Sequence, residues 1–247
     1  MNDESQEESG PQIADPDEMF EKYKDKWYNI STLYWSKQEN NDNGMLGGYS
    51  SLTEFDISSS TKIIEKYQNP PKNKKFTKLG NHRIADCGCG IGRVSHSVLS
   101  KYFKCIDLID PVDKFLEEAK KNLANDDVEI QTFTEGIQTW SPSYEYDAYW
   151  IQWAIMYLTD ADVISFLQRC KQHLNKNGYI FIKDNISSSN IRQKKEKATF
   201  YSQDCGICRV FSHYLDLFKK AHLKVIEIKK QENWPDELLP VYTFVLQ

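Results

Sequence analysis

The chain has no apolar run long enough to cross a membrane. Its longest, residues 148–158, is interrupted by Gln152, whereas a spanning helix needs about 20 apolar residues. The first eighteen positions hold no Lys, Arg or His and no apolar core, so the pattern of a secretory leader is missing. Six cysteines without such a leader predict reduced thiols. Cys87-Gly88-Cys89, inside a cofactor turn, is poor ligand spacing, and no histidine forms a local ligand motif with it or with Cys205 and Cys208, which argues against a zinc site. There is also no dominant basic stripe, since 31 Lys and Arg face 36 Asp and Glu for a net charge of −5. A protein that reads phosphate-rich polymers is expected to carry one. The Asn/Asp-Pro-Pro-Tyr/Phe tetrapeptide of base amino-methylating enzymes is missing too. These absences predict a soluble intracellular protein, in the cytoplasm or nucleus, with neither membrane nor nucleic acid as partner.

At 247 residues the chain suits one sizeable domain with additions. Residues 1–18 carry seven acids and predict a disordered acidic tail. Residues 19–80 predict an amino-terminal helical cover: aromatics from Phe20 to Trp35 recur at helical spacing, residues 44–49 read as a flexible apolar loop, and 57–67 as a helix. The basic stretches at 72–75 and 192–197 read as solvated loops. From residue 81 onward, strands near 84, 105, 128, 146 and 178 alternate with helices at 113–123 and 160–174. A further helix over 207–221 and a closing strand pair follow. That alternation predicts an α/β fold, a mostly parallel sheet with helices on both faces.

The segment Asp86-Cys87-Gly88-Cys89-Gly90-Ile91-Gly92-Arg93 follows the apolar strand and runs into a helix. Alternating glycines let bare backbone approach a nucleotide-like ligand. The acid before them and the arginine after them match the order of S-adenosylmethionine sites better than a dinucleotide fingerprint. Asp110 ends the next strand about 20 residues on, where a carboxylate accepts hydrogen bonds from ribose hydroxyls. Ligands in such sheets lie beyond the strands' carboxyl ends, which collects Gly88, Arg93, Asp110, Gln138, Gln152, Trp153, Asp184 and Asn185 on one rim. Arg93 suits the cofactor's carboxylate, and Gln138 and Gln152 suit adenine or backbone.

Five blocks in order, Gly44-Met45-Leu46-Gly47-Gly48-Tyr49, the glycine turn, Trp150-Ile151-Gln152-Trp153, Lys183-Asp184-Asn185 and Gln231 to Glu237, resemble those of the eukaryotic protein alpha-N-terminal methyltransferases. The resemblance implies a class I, Rossmann-like methyltransferase fold with a seven-stranded sheet. It implies substrates that are proteins with an exposed X-Pro-Lys or X-Pro-Arg terminus, and S-adenosylhomocysteine as product. Carried over by position, Gly88, Arg93, Asp110, Pro111, Ile137, Gln138 and Gln152 match cofactor contacts. Trp153, Asn185, Leu46, Leu52 and Tyr201 match peptide-binding positions, with Asn185 orienting the amine. Asp204 matches a proton-accepting aspartate when 187–197 is treated as an insertion. The family's histidine is replaced by Tyr157, a second aspartate by Tyr201, a serine by Gly206 and a tyrosine by Leu239. Those departures leave two alternatives beside a competent enzyme: a catalytically weak S-adenosylmethionine-binding module, or a methyltransferase for another peptide or a small amine.

Overall fold

The computed structural model describes residues 10–72, 76–187 and 197–247. The amino-terminal part comprises β1 (Gln12–Ala14), α1 (Pro16–Tyr23), α2 (Trp27–Ser36), α3 (Asp42–Met45) and α4 (Thr53–Gln68). Next come β2 (Arg83–Cys87), α5 (Arg93–Ser97), β3 (Cys105–Ile109), α6 (Asp113–Asn122), β4 (Glu129–Phe133), β5 (Tyr146–Gln152), α7 (Asp160–Gln172) and β6 (Leu174–Asn185). The chain closes through β7 (Ala198–Tyr201), β8 (Gly206–Cys208), α8 (Phe211–Lys220), β9 (Val225–Lys230) and β10 (Val241–Leu246).

Seven strands form one sheet in the order β4-β3-β2-β5-β6-β10-β9. All neighbours up to β6 run parallel, and β10 runs antiparallel to both β6 and β9. After β2 the chain builds outward through β3 and β4, then returns to the other side of β2 with β5. That reversal opens a crevice beyond the carboxyl ends of β2 and β5, the place where such sheets bind ligands.

The central strand β5 is buried along its whole length. A strand covered on both faces has no solvent side and therefore reads as a nearly continuous apolar run. Tyr149 and Ile151 join Phe166 and Leu167 of α7 and Leu217 and Phe218 of α8. Ala148 and Trp150 join the other layer with Ile63 of α4, Val94 of α5 and Leu116 of α6. Each such large apolar side chain contributes on the order of 1.5–3 kcal/mol by leaving water.

The tail expected to be disordered over 1–18 is ordered in its second half. Gln12–Ala14 pairs antiparallel with β7, Ile13 opposite Thr199, as the edge of a three-stranded sheet β1-β7-β8. The acid count misled because these acids start a helix. Asp15 caps α1, its carboxylate accepting the Asp17 N–H at 3.0 Å, Pro16 takes the first turn, and Asp17 and Glu18 face the helix's positive end. Ala14 then packs with Trp27, Phe200 and Ile207. Residues 1–9 lie outside the described residues, as do positions 73–75 and 188–196 of the two basic stretches.

Two further expectations need correction. Residues 44–49 are not simply a flexible loop: Asn41 caps α3 by accepting the Gly44 N–H at 2.9 Å. The helix expected over 207–221 begins only at Phe211, because Gly206–Cys208 pairs with β7. An apolar stretch that short is shared out by its sheet partners rather than by its own periodicity.

Candidate cofactor and substrate site

A cavity fills the crevice at the carboxyl ends of β2, β3 and β5. Gly88, Arg93, Asp110, Pro111, Ile137, Gln138 and Gln152 all line it. The Gly88 and Cys89 N–H groups both donate to the Ile109 carbonyl, at 2.8 and 3.1 Å, which turns the chain tightly off β2. Gly88 has φ +79°, and a Cβ there would stand 2.4 Å from the Ala154 Cβ. Gly90 has φ +54°, and a Cβ on it would meet the Met45 sulfur at 2.8 Å. Backbone exposed at such a turn lets a ligand approach closely. Arg169 donates to the Ile137 and Gln138 carbonyls at 3.1 and 2.9 Å, holding the adjoining wall.

Asp110 accepts the Val112 N–H on Oδ1 at 2.9 Å and the Gly90 N–H on Oδ2 at 3.0 Å. Each oxygen keeps a further lone pair. Burial lifts this carboxyl to about 6, against the pull of the Val112 and Gly90 amides. Asp86, beneath the turn, is lifted by burial to about 7 and accepts the Ser95 hydroxyl at 2.6 Å. Arg93 gives Nη2 to Asp56 at 2.6 Å, while its Nη1 is buried with no hydrogen-bond partner among the described residues. A buried guanidinium nitrogen left unpaired is costly, so an anionic group on the ligand suits this end. Glycine backbone, a free carboxylate acceptor and an incompletely paired arginine together fit S-adenosylmethionine.

The cavity also has an aromatic wall, with Trp35, Trp153 and Tyr157 in its lining. Trp153 leaves β5 at φ +51°, rare for a bulky residue. Its N–H donates to the Lys183 carbonyl at 2.9 Å, and its indole N–H to the Asn185 side chain at 3.3 Å. The Tyr157 hydroxyl donates to Asp204 at 3.2 Å, and the Gly206 N–H donates to the same carboxylate at 3.0 Å. Burial raises Asp204 above the ordinary carboxylate range, and pushes the Tyr157 phenol well above its own. Trp153 and Tyr157 thus line the cavity, while Asn185 and Asp204 are not among its lining residues and reach it only as the hydrogen-bond partners of those two.

The model of one family, the AdoMet dependent proline di-methyltransferases, matches residues 23–247. The chain belongs to this family. It is 37% identical to N-terminal Xaa-Pro-Lys N-methyltransferase 1-B of Xenopus laevis, over 90% of this chain and 96% of that protein. To N-terminal Xaa-Pro-Lys N-methyltransferase 1 of Homo sapiens it is 34% identical over the same shares. A solved SAM-dependent methyltransferase of Leishmania major superposes with TM-score 0.82 at 32% identity, covering 94% of this chain and 91% of its own. A SAM-dependent methyltransferase of Clostridium acetobutylicum, 12% identical, superposes with TM-score 0.58 over 83% of this chain and shares the fold alone. The seven-stranded class I methyltransferase fold and the S-adenosylmethionine dependence expected of this family member are thereby shown.

Not every residue carried over by position stands where its role would suggest. Gln152 lines the cavity, but its amide donates to both Asp56 oxygens at 2.9 Å and its carbonyl accepts from Trp150 at 3.1 Å. Its polar atoms thus face the fold rather than adenine. Leu46, Leu52 and Tyr201 are not among the lining residues; Met45 is, and Leu52 is buried at the start of α4. Asp184 is fully buried, lifted by burial to about 7. Tyr28, Ser31, Thr32 and Trp35 of α2 line the cavity and were read from sequence only as helix faces. Asp56 was missed. Its signal was an acid at an inward position of α4, where Leu52, Ser60, Ile63, Ile64 and Tyr67 are also buried.

Proposed function

We propose that this family member methylates the alpha-amine of proteins that expose an X-Pro-Lys or X-Pro-Arg terminus. The observation that carries the reading is the continuity of the cavity. Asp110, Arg93, Trp35, Trp153 and Tyr157 line the same cavity, and the Arg93 guanidinium lies 6.0 Å from the Trp153 ring, so a terminus lying along the aromatic wall meets the cofactor's methyl. The names of the relatives agree with this substrate class. Asp110 receives the ribose hydroxyls, Arg93 receives the carboxylate, and Gln138 lies at the adenine end. The half-buried face of Trp153 packs on the proline, and Asn185 orients the amine.

When bound, S-adenosylmethionine supplies a methyl group on a sulfonium sulfur. The amine must arrive as the free base, because its lone pair forms the new N–C bond while the S–C electrons stay with sulfur. An alpha-amine titrates near 7.7–8.0, so deprotonation is a modest hurdle, and alignment supplies much of the rate. Asp204 accepts the departing proton, directly or through water, and the Tyr157 hydroxyl holds its carboxylate in place. Tyr157 itself is no base at neutral pH, since burial moves it further from neutrality. The net charge of −5 favours a protein terminus over a nucleic acid.

Mass spectrometry of an X-Pro-Lys peptide incubated with enzyme and S-adenosylmethionine tests the proposal. Methyl groups should appear on the free amine and not on the acetylated peptide. Equal labelling of the acetylated peptide would exclude the terminal amine as acceptor. Tight S-adenosylhomocysteine binding with no turnover across a peptide panel would favour the binding module, for which the Tyr157 to Asp204 hydrogen bond is the motivating contact.

A further inference from the structure

Beneath the cofactor cavity lies a buried charge cluster that joins four separate segments. Asp56 of α4 is completely buried, Lys183 of β6 is 1% exposed and Arg93 of α5 is 8% exposed. Asp56 accepts Arg93 Nη2 at 2.6 Å, the Gln152 amide at 2.9 Å and the Lys183 ammonium. Lys183 also donates to Ser59 at 2.7 Å and Ser60 at 3.1 Å, one turn along α4. Two basic side chains therefore share one carboxylate. Lys183 is saturated by its neighbours. Arg93 is not, because Nη1 has no partner among the described residues although the residue lines the cavity.

We propose that Asp56 is a positioning residue for the cofactor: it anchors one edge of the Arg93 guanidinium so that the other is left for the cofactor's carboxylate. The inference rests on the assignment of Arg93 to that carboxylate. A guanidinium is a rigid fork, so fixing one nitrogen fixes the direction of the rest. Without Asp56, Arg93 would have five donors and a flexible stem in the same space. The anchor is carried by α4, and Thr53 at its start donates to Asp42 of α3 at 2.9 Å. Met45, at the end of α3, reaches the glycine turn. Filling the carboxylate end of the cavity thus tightens the amino-terminal cover as well as the cofactor.

Calorimetry with S-adenosylhomocysteine and with adenosine, which lacks the amino-acid tail, separates this role from a merely structural one. Asp56→Asn alone leaves two buried cations uncompensated, so the informative variant is Asp56→Asn with Lys183→Met, in which a carboxylate and an ammonium leave together. The double variant should bind S-adenosylhomocysteine about 10- to 100-fold more weakly, as befits a misdirected charge-assisted hydrogen bond, and adenosine within about twofold of wild type. Arg93→Met should show the same selective loss. If Arg93→Met loses affinity and the double variant does not, Asp56 has no positioning role and the Arg93 assignment stands. If Arg93→Met binds normally, the assignment itself falls. Equal weakening for both ligands would mean general damage and overturn the proposal. Hydrogen exchange on the wild-type protein decides the matter if the double variant does not fold. S-adenosylhomocysteine, and not adenosine, should slow exchange in α4, and equal protection by both refutes the coupling.

Discussion

Cofactor affinity should fall as Asp110 takes up a proton. In the ligand-free protein burial lifts this carboxyl to about 6, with the Val112 and Gly90 amides resisting the shift. In the proposed site the ribose hydroxyls donate to it, so the ionised form binds and the protonated form has lost acceptor capacity. The sign follows directly: affinity is flat well above pH 6 and declines as pH drops through that value. At pH 5 only about one site in eleven is ionised, which weakens binding about tenfold, or about 1.4 kcal/mol. Titration calorimetry with S-adenosylhomocysteine from pH 5 to 8 measures the slope. Asp110→Asn provides the control, since an amide at this position does not titrate. That variant should bind roughly 10- to 100-fold more weakly at pH 8, from the loss of charged acceptors, and should show no tenfold loss between pH 8 and 5. Asp86, lifted to about 7 by burial and in part by the Asp110 charge, titrates in both proteins, at a lower pH in the variant. A wild-type affinity independent of pH from 5 to 7, or an Asp110→Asn variant with the wild-type slope, refutes the reasoning.

Gly88→Ala should abolish measurable S-adenosylhomocysteine binding while the protein stays folded by circular dichroism. Its φ of +79° costs an L-residue on the order of 1–2 kcal/mol, and the 2.4 Å approach to Ala154 forces the turn away from β5. Asp204→Asn should lower kcat for an X-Pro-Lys peptide by about 10²–10⁴ with cofactor affinity unchanged; single-turnover kinetics and calorimetry check the two halves. Trp27→Ala should destabilise by about 3–5 kcal/mol in urea unfolding, because Trp27 is 1% exposed and its indole N–H holds the Tyr157 carbonyl at 2.6 Å.

The parts of the site that could be read directly are those built from neighbours along the chain. The glycine turn and Asp110 belong to consecutive strand ends, and parallel pairing in register, Cys87 beside Ile109, necessarily brings them together. The order of apolar runs and helical stripes was enough for the parallel sheet, since β5, buried on both faces, is apolar except for Asp147 and Gln152 near its ends. Less legible was anything whose burial is granted by a distant partner. The segment 10–18 looked too acidic to order, yet β7 offers it a strand edge and α1 uses its acids as caps. Gly206–Cys208 looked like the start of a helix until the same small sheet claimed it.

By itself the sequence determined that a methyltransferase sheet would form and that its glycine turn and Asp110 would stand side by side at the strand ends, because local geometry and strand order leave little freedom there. It also carried the resemblance that names a peptide amine as acceptor. Only the tertiary structure decided that Gln152 turns inward, that Tyr157 donates to Asp204, and that Asp56 reaches from the cover to Arg93 under the cofactor site. Asp56 and Lys183 are 127 positions apart in the chain. No period or motif spans that distance, and a charge is held in a dry interior only when the packed fold delivers its partner.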